Sequence, residues 1–330
     1  MDSIQCLELN NLSYKVAPIH LREIIFLNNS PCDLFGIIDG FFTVVISKNS
    51  LINRDNLKKI VELGLNQIFV KIDDHPILYQ LHRKKLIDIT RSLSMGNTLE
   101  NCKKQIYYQL INLEYLYKNP IDDEGLFIQY QCLTNLGQIL FDKSELIPPL
   151  YNYLLEQKYH YSLSHPILSS LLLLGYLRNV QQFSSKEVLS LFVTSYFKDI
   201  GMSAIPEDFL NKSVLTKSEI DIISKHVHFS VEILNSRIPL GANYFNIIEN
   251  HHAHSLIQDK SKRPKIISGV ETLLIESIDT LTAMISNRPY REGLDVYLAL
   301  NLLKNRMGSS YYQEFKLLVF YIQKFFKSIK

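Results

Sequence analysis

The chain has 330 residues, 46% of them hydrophobic and 21% charged, with a formal net charge of +2. This composition describes an ordinary globular protein with a large core, and the length allows two domains. A net charge this close to zero excludes a general electrostatic attraction to nucleic acid polymers or membranes. The longest apolar stretch, around residues 171–174, falls well short of the roughly 20 residues that a membrane span requires.

The cysteines and the N-terminus bear on the cellular compartment. Cys6, Cys32, Cys102 and Cys132 are scattered along the chain and form no CxxC pair. The first residues lack the basic and apolar regions of a signal peptide. Together these features predict a cytoplasmic protein with reduced thiols, without disulfides or a thiolate metal site.

The first predicted element is a β-hairpin. Residues 33–38 and 41–46 are rich in β-branched and aromatic residues, and they flank the pair Asp39-Gly40. Two such runs around an Asp-Gly pair are a strong hairpin pattern.

A helix and a further strand follow the hairpin. Residues 54–63 show helical apolar spacing that ends before Gly64, and residues 65–72 are typical of a strand. The sequence therefore predicts a small α+β module over residues 1–75. Because this module has no glycine-rich phosphate loop and no histidine cluster, a regulatory or docking role is predicted for it.

Strand patterns disappear after the module. Residues 77–93, 99–117 and 125–141 are helical by length and apolar spacing. Residues 76–143 are predicted to form a helical connector that packs onto the helical domain that follows.

An all-α domain is predicted for residues 144–330. Residues 184–187 and 216–219 fit the capping-box pattern, in which a hydroxyl and a glutamate satisfy each other's free N–H groups. The second box is predicted to begin a helix that continues to Leu234 and carries His226 near its buried face. Further helices are predicted over residues 244–252, 270–286, 294–304 and 312–326.

The main functional pattern surrounds Asp199, which follows an apolar helical run and precedes Gly201. A carboxylate at the end of a buried helix is costly to desolvate unless a cation or hydrogen-bond donors meet it. Most of the ten histidines lie between His160 and His254. The candidate metal ligands are His165, Asp199, His226, His251, His252 and Asp279.

Imidazole and carboxylate ligands suit iron, manganese or zinc. A bound ion lowers the pKa of its water to about 7 and gives a hydroxide that can attack phosphorus. The residues alone predict a metal-dependent hydrolase site on a helical scaffold, or the remains of one. Their spacing leaves open whether the six side chains converge.

The order of these motifs closely resembles the HD-GYP family of cyclic di-GMP phosphodiesterases. The blocks are YSLSH at 161–165, KDIGMSAIP at 198–206, His226, NHH at 250–252, Asp279, and SNRPYR at 286–291. The corresponding family blocks are YTxxH or ExxxH, HDxGKxxIP, a histidine, HHE, an aspartate and SDRPYR. The resemblance covers residue 144 to the C-terminus, and it implies an HD-domain-like helical bundle after the α+β module.

Several family residues are replaced in this chain. Lys198 stands at the signature histidine, Met202 at the lysine of the GK pair, Ala253 at the glutamate after the histidine pair, and Asn287 at an aspartate. The GYP tripeptide is absent, since residues 254–265 read HSLIQDKSKRPK. Tyr161 occupies the position of a glutamate that helps to bind a third metal in some members.

These replacements imply an altered metal set. A protonated lysine has no lone pair and cannot ligate, so the implied first site of His165, Asp199 and Asp279 loses a ligand. The ammonium of Lys198 could replace that metal by charge. The implied second site, from Asp199, His226 and His251 or His252, keeps its ligand types. The alternatives are one divalent transition metal, with iron or manganese preferred over zinc, or no metal.

Each of these candidate residues also has a structural interpretation that requires no metal or ligand. His251 and His252 could belong to a polar helix end, where histidines favour the C-terminal dipole. His165 could be a helix-capping or core histidine, and Asp279 a buried partner of Lys198 without metal. The resemblance implies ligand contacts for Arg288 and Arg291, whereas the residues alone favour structural ion pairs for both.

Two functional hypotheses follow. The first is a non-catalytic HD-GYP-like protein in cyclic di-GMP-linked signalling, acting as a nucleotide sensor or as an interaction module for a signalling protein. The alternative is an active metal-dependent phosphodiesterase with an altered metal site. The family residues replaced by Lys198 and Met202, together with the missing GYP tripeptide, favour the non-catalytic hypothesis. The retained histidines and Asp279 support the second, since an abandoned site has no chemical need for them.

Overall fold

The computed structural model describes residues 15–25, 27–65, 67–95, 98–157, 159–252, 269–288, 290–307 and 311–329. The chain divides into two compact units, Met1–Lys85 and Leu86–Lys330, and the boundary lies within helix α2 (His75–Met95). Strands occur at the start of the described chain and helices follow, which confirms the predicted fold class. Among the described helices, none is long and apolar enough to cross a membrane.

The first unit contains a four-stranded antiparallel sheet. Its strands are β1 (Val16–Ile19), β2 (Leu34–Ile38), β3 (Phe41–Ile46) and β4 (Ile68–Lys71), in the order β1-β4-β2-β3. Strands β2 and β3 form the predicted hairpin. Asp39 and Gly40 have φ angles of 51° and 81°, as a two-residue turn matched to the strand twist requires. The strand predicted over residues 65–72 is shorter, as β4.

Helix α1 (Arg54–Glu62) packs its apolar side against this sheet. The Asn53 side chain caps its first turn by accepting a hydrogen bond from the Asn56 N–H. Ile60 is buried in one cluster with Leu34 and Ile68 of the strands. This cluster gives the first unit a hydrophobic core drawn from its own residues.

The second unit is helical throughout its described residues. Its helices are α3 (Leu99–Lys118), α4 (Asp123–Asp142), α5 (Ile147–Glu156), α6 (Tyr161–Val180), α7 (Ser185–Phe197), α8 (Glu207–Leu210), α9 (Lys217–Ile223), α10 (His226–Leu234), α11 (Ala242–Asn250), α12 (Val270–Ile285), α13 (Val296–Met307) and α14 (Tyr312–Ile329). Helix α6 is buried on all sides from Leu163 to Leu177, as expected of a central helix. Buried residues of α3 and α4 belong to the same core cluster as those of α6 and α7.

Both predicted capping boxes are confirmed. The Ser184 hydroxyl accepts from the Glu187 N–H at 3.3 Å, and the Glu187 carboxylate accepts from the Ser184 N–H at 2.8 Å. Thr216 and Glu219 make the same reciprocal pair at the start of α9. Each box depends on four adjacent residues, which is why the sequence predicts it well.

The single helix predicted from the second box to Leu234 is wrong, because two helices, α9 and α10, occupy this stretch. The Ser224 hydroxyl donates to the Asp221 carbonyl, and the Lys225 N–H bonds to Ile222, three residues back. Serine can compete with the main-chain ladder in this way, and here the ladder tightens and stops. The break makes His226 the first residue of α10.

Candidate metal centre

Asp199 lies in a sharp turn immediately after α7. The Lys198 N–H bonds to the Thr194 carbonyl and closes α7, and a short 3₁₀ segment, Ile200–Ala204, follows Asp199. This segment packs closely on α10, because a methyl group on Gly201 would collide with the carbonyl oxygen of His226. The glycine therefore allows Asp199 and His226 to approach each other.

A buried polar network holds the end of α7 in place. The Gln129 amide of α4 donates to the Tyr196 hydroxyl at 2.5 Å. The Asn112 amide of α3 donates in turn to the Gln129 side-chain oxygen at 2.9 Å. These three side chains are buried and connect three helices two residues before Lys198. No sequence pattern indicates this network, because its members are far apart in the chain.

His226 and His251 present the same ring nitrogen to Asp199. In each, Nδ1 donates to the carbonyl three residues back, to Ile223 at 2.7 Å and to Ile248 at 2.6 Å. Their Nε2 atoms lie 3.4 and 3.2 Å from Asp199 Oδ1. A neutral ring in this arrangement points its Nε2 lone pair at the carboxylate. Facing lone pairs repel unless a proton or a cation lies between them.

His252 completes this group. Its ring lies 4.1 Å from that of His251 and 5.2 Å from that of His226, between centroids. Burial above all, followed by the neighbouring His251, holds the pKa of His252 well below its usual range. A ring that stays neutral keeps a lone pair for a metal ion.

Asp199, His226, His251 and His252 therefore form what we call the histidine site. Each offers a ligand atom, and all these atoms lie within 4.8 Å of one another. His226 Nε2 is buried and has no hydrogen-bond partner among the described residues. Three imidazoles and one carboxylate suit zinc, iron or manganese. These residues fit a divalent transition metal, and the buried cluster can hold one.

A second group surrounds Lys198, and we call it the lysine site. His165, Asp199 and Asp279 also offer ligand atoms within 4.8 Å of one another. The ammonium of Lys198 contacts Asp199 Oδ2 and lies 2.6 Å from Asp279 Oδ1. Lys198 is completely buried, and two carboxylates meet its charge. The ammonium thus lies between the carboxylates that a metal ion would otherwise bridge.

The charges of the lysine site stabilise one another. Burial opposes the charge of Lys198, but Asp199 and Asp279 outweigh it and raise the pKa of the ammonium. Burial also opposes ionised carboxylates, yet Lys198 outweighs it and lowers the pKa of both Asp199 and Asp279. The protonated lysine therefore faces two ionised carboxylates.

His165 joins the lysine site as a neutral donor. Its Nε2 lies 2.7 Å from Asp279 Oδ1. Burial lowers the pKa of His165 despite this carboxylate, and the charges of Lys198 and Arg288 add to the effect. Its Nδ1 is buried without a hydrogen-bond partner in the part of the chain that the structure describes.

The two predicted ligand-binding arginines differ in their surroundings. The Arg288 guanidinium lies over the Tyr161 ring at 4.0 Å, and its buried Nε has no hydrogen-bond partner within the described ranges. Arg291 instead donates to main-chain carbonyls, at 2.6 Å to Ala283 and 3.2 Å to Met284, at the end of α12. Arg288 is the better placed of the two for a ligand, and both roles remain predictions.

The replaced family positions are only partly described. Met202 lies half-buried in the 3₁₀ segment after Asp199. Asn287 accepts from the Gly293 N–H at 2.8 Å, and the Tyr161 hydroxyl donates to the Leu210 carbonyl at 2.8 Å. Ala253 and the segment 254–265 lie outside the described residues.

Comparison with known proteins gives a structural match to set beside this geometry. No family model matches the chain, and no curated protein matches it. Among solved structures it resembles Bd1817, a HDG"Y"P protein from Bdellovibrio bacteriovorus, with a TM-score of 0.63 and 13% identity. The match covers 92% of this chain and 98% of that chain. The chain has the fold of an HD-GYP protein.

This finding confirms the predicted resemblance at the level of the fold. An identity of 13% carries no information about individual side chains. The lysine and histidine sites therefore rest on the geometry of this chain, and function has to be argued from that geometry rather than from the fold.

Proposed function

We propose that this protein is a non-catalytic, HD-GYP-like signalling protein that binds one divalent transition metal and senses cyclic di-GMP or a related nucleotide. The observation that carries this proposal is the position of Lys198. Its buried ammonium contacts Asp199 and lies 2.6 Å from Asp279. The lysine site therefore contains its own cation, and only the histidine site remains for a metal.

An ammonium cannot replace a metal in hydrolysis. Two-metal sites hold the attacking and leaving oxygens on paired ions and generate hydroxide from a bound water. A protonated lysine offers three donors and no open coordination position. Met202 adds no charge where the family resemblance places a lysine. The chain thus keeps the ligands for one ion and lacks the second ion and the lysine that would complete a two-metal site.

The histidine site would hold the remaining ion through Asp199, His226, His251 and His252. When bound, such an ion supplies positive charge that can coordinate a phosphate oxygen. Iron or manganese is preferred over zinc, by resemblance to the HD-GYP family.

Arg288 supplies a second positive group for a phosphodiester. Its guanidinium is stacked on Tyr161, and its Nε is buried without a described partner. A guanidinium forms strong, directional hydrogen bonds to phosphate oxygens. The nucleotide itself is assigned by analogy with the fold. A protein partner in signalling is part of the same proposal.

Metal content is the first test. Protein purified anaerobically should carry at most about one tightly bound transition ion per chain, and Asp199→Ala should lower this content. Two stoichiometric ions by elemental analysis would contradict the single-site proposal. No ion, even after reconstitution, would favour a metal-free protein.

Ligand binding is the second test. Calorimetry with cyclic di-GMP should show binding that Arg288→Met weakens roughly 10- to 100-fold, since hydrogen bonds to charged groups contribute about 1.5–3 kcal/mol. Arg178→Met is the matched control, because Arg178 also stacks on an aromatic ring, Phe141, away from the site. Equal losses in both variants would contradict a ligand role for Arg288.

Turnover is the third test. It distinguishes the non-catalytic protein from the alternative, an active metal-dependent phosphodiesterase, which the retained histidine site supports. Chromatography with iron or manganese supplied anaerobically should detect negligible hydrolysis of cyclic di-GMP. Lys198→His combined with Met202→Lys is the best attempt at partial rescue. Metal-dependent turnover by the unmutated chain, abolished in Asp199→Ala, would establish an active phosphodiesterase instead.

A further inference from the structure

Ser230 of α10 bonds to the main chain on both sides of the turn that carries Asp199. Its hydroxyl donates to the Lys198 carbonyl at 2.6 Å and accepts from the Gly201 N–H at 2.8 Å. Ser230 is completely buried, so neither bond is exchanged for water. One side chain thus satisfies main-chain groups on both sides of Asp199.

The bonding of Ser230 is unusual for a serine in a helix. Such a hydroxyl commonly bonds to a carbonyl of its own helix, three or four residues back. Ser170 of α6 does this, since it donates to the Pro166 carbonyl at 2.7 Å and is equally buried. Ser230 instead reaches residues about 30 positions away, in a different element.

The position of Ser230 along α10 links this contact to the histidine site. His226 and Ser230 are four residues apart and therefore lie on the same side of the helix. Gly201 brings the turn against the His226 carbonyl, and its N–H reaches Ser230 one helical turn later. The same rigid helix thus carries one imidazole of the histidine site and holds the carboxylate that faces it.

From this geometry we infer that Ser230 is a positioning residue for the histidine site. Its two hydrogen bonds fix the main chain on either side of Asp199, and so they fix the distance between the carboxylate and His226 Nε2. This inference rests on the proposed metal centre and extends it to a residue that cannot itself be a ligand there. Partners of this kind, outside the ligand set, typically contribute 10- to 100-fold to metal affinity.

The test is Co²⁺ binding by the full chain, followed by the visible absorption of the bound ion and by chelator competition. Ser230→Ala should weaken Co²⁺ binding roughly 10- to 100-fold and shift the absorption bands, because the carboxylate is no longer held. Ser170→Ala removes an equally buried hydroxyl without touching the turn, and it should leave both readouts unchanged. Ser230→Thr keeps the hydroxyl and should restore most of the affinity.

Thermal unfolding of each variant separates positioning from general stability. A folded Ser230→Ala with unchanged Co²⁺ affinity, or equal weakening in Ser170→Ala, would overturn the positioning role. If Ser230→Ala does not fold, Ser230→Cys keeps the shape with only a weak donor and acceptor, and unchanged affinity there would overturn it equally. An unmutated chain that binds no Co²⁺ would overturn the metal centre itself, which distinguishes the two failures.

Discussion

At the scale of single residues, Lys198 determines what the site can do. A completely buried ammonium is tolerated because two carboxylates, Asp199 and Asp279, meet it. Removing one partner from such a group leaves uncompensated charge in the interior, which is far costlier than replacing the whole group by apolar residues. Lys198 is therefore a structural requirement of this chain as well as a barrier to catalysis.

Replacing Lys198 by methionine should destabilise the metal-free protein. Methionine keeps the length of the side chain but leaves the two carboxylates facing each other. The free energy of unfolding should fall by about 3–5 kcal/mol, measured by chemical denaturation in the presence of a chelator. Lys212→Met is the matched control, because it breaks a solvent-screened surface pair with Glu219 and should lower the free energy of unfolding far less. Equal stability of Lys198→Met and the unmutated chain would contradict this account.

Buried histidines should make the protein less stable in mild acid. Burial lowers the pKa of His82 to about 4, and burial also lowers the pKa of His165. Below the unfolded pKa of about 6.5, these rings bind a proton only when the chain unfolds. The contribution of each neutral, buried ring to the free energy of unfolding is therefore complete above that pH. It is lost as the pH falls toward the pKa of the ring in the folded protein.

For each such ring the loss should be about 1.4 kcal/mol per pH unit. Denaturation of the metal-free chain between pH 7 and 4 measures this slope. His82→Leu should reduce this slope by about 1.4 kcal/mol per pH unit, the contribution of one buried ring. An unchanged slope in His82→Leu would contradict the burial argument.

At the scale of elements, local patterns were predictable from the sequence and long-range ones were not. The hairpin at Asp39-Gly40 and the capping boxes at Ser184 and Thr216 depend on neighbouring residues, and each is found where it was expected. The break at Ser224 also has a local cause, but the apolar spacing through it resembles one continuous helix.

The convergence of the site could not be derived from spacing alone. His165 and Asp279 are 114 positions apart, and only the order of the motifs suggested that they meet. The Ser230 contacts and the pair of Gln129 with Tyr196 gave no sequence pattern at all. These contacts form only when α4, α7 and α10 pack together in the folded chain.

The contact between the 3₁₀ segment and α10 gives a prediction for one element. Gly201→Ala should separate this segment from α10, because the added methyl group meets the His226 carbonyl and lies 2.5 Å from the Ser230 nitrogen. Main-chain atoms cannot move aside easily, so the free energy of unfolding should fall by about 1–3 kcal/mol. Thermal or chemical denaturation measures this change.

Gly269→Ala provides the comparison for Gly201→Ala. There the added methyl group meets only the carboxylate end of the Glu271 side chain, which can move. The cost should stay below about 1 kcal/mol, the usual scale of a helix-cap change. Equal losses at both glycines would show that the approach of the segment to α10 is not tight.

At the scale of the whole molecule, the two units have separate cores. Ile24, Leu34 and Ile68 belong to a cluster drawn entirely from the first unit. The largest cluster lies entirely in the second unit and includes residues from α3 to α14. The ligand atoms of the lysine and histidine sites also all come from the second unit. A regulatory or docking role for the first unit remains our proposal, and the candidate ligands named above all lie in the second unit.

Deleting residues 1–75 should therefore leave a folded helical protein that still binds metal. The deletion keeps nearly all of α2, including Leu86, which is buried with Tyr107 and Ile111 of the second unit. We expect a cooperative thermal transition by circular dichroism and the same metal content per chain as the full-length protein. The matched control is Asp199→Ala in the truncated chain, which should lower the metal content without abolishing the transition. A domain with a sufficient core of its own unfolds cooperatively. Loss of cooperative unfolding in the truncated chain would therefore show that the helical unit depends on the first unit for its stability.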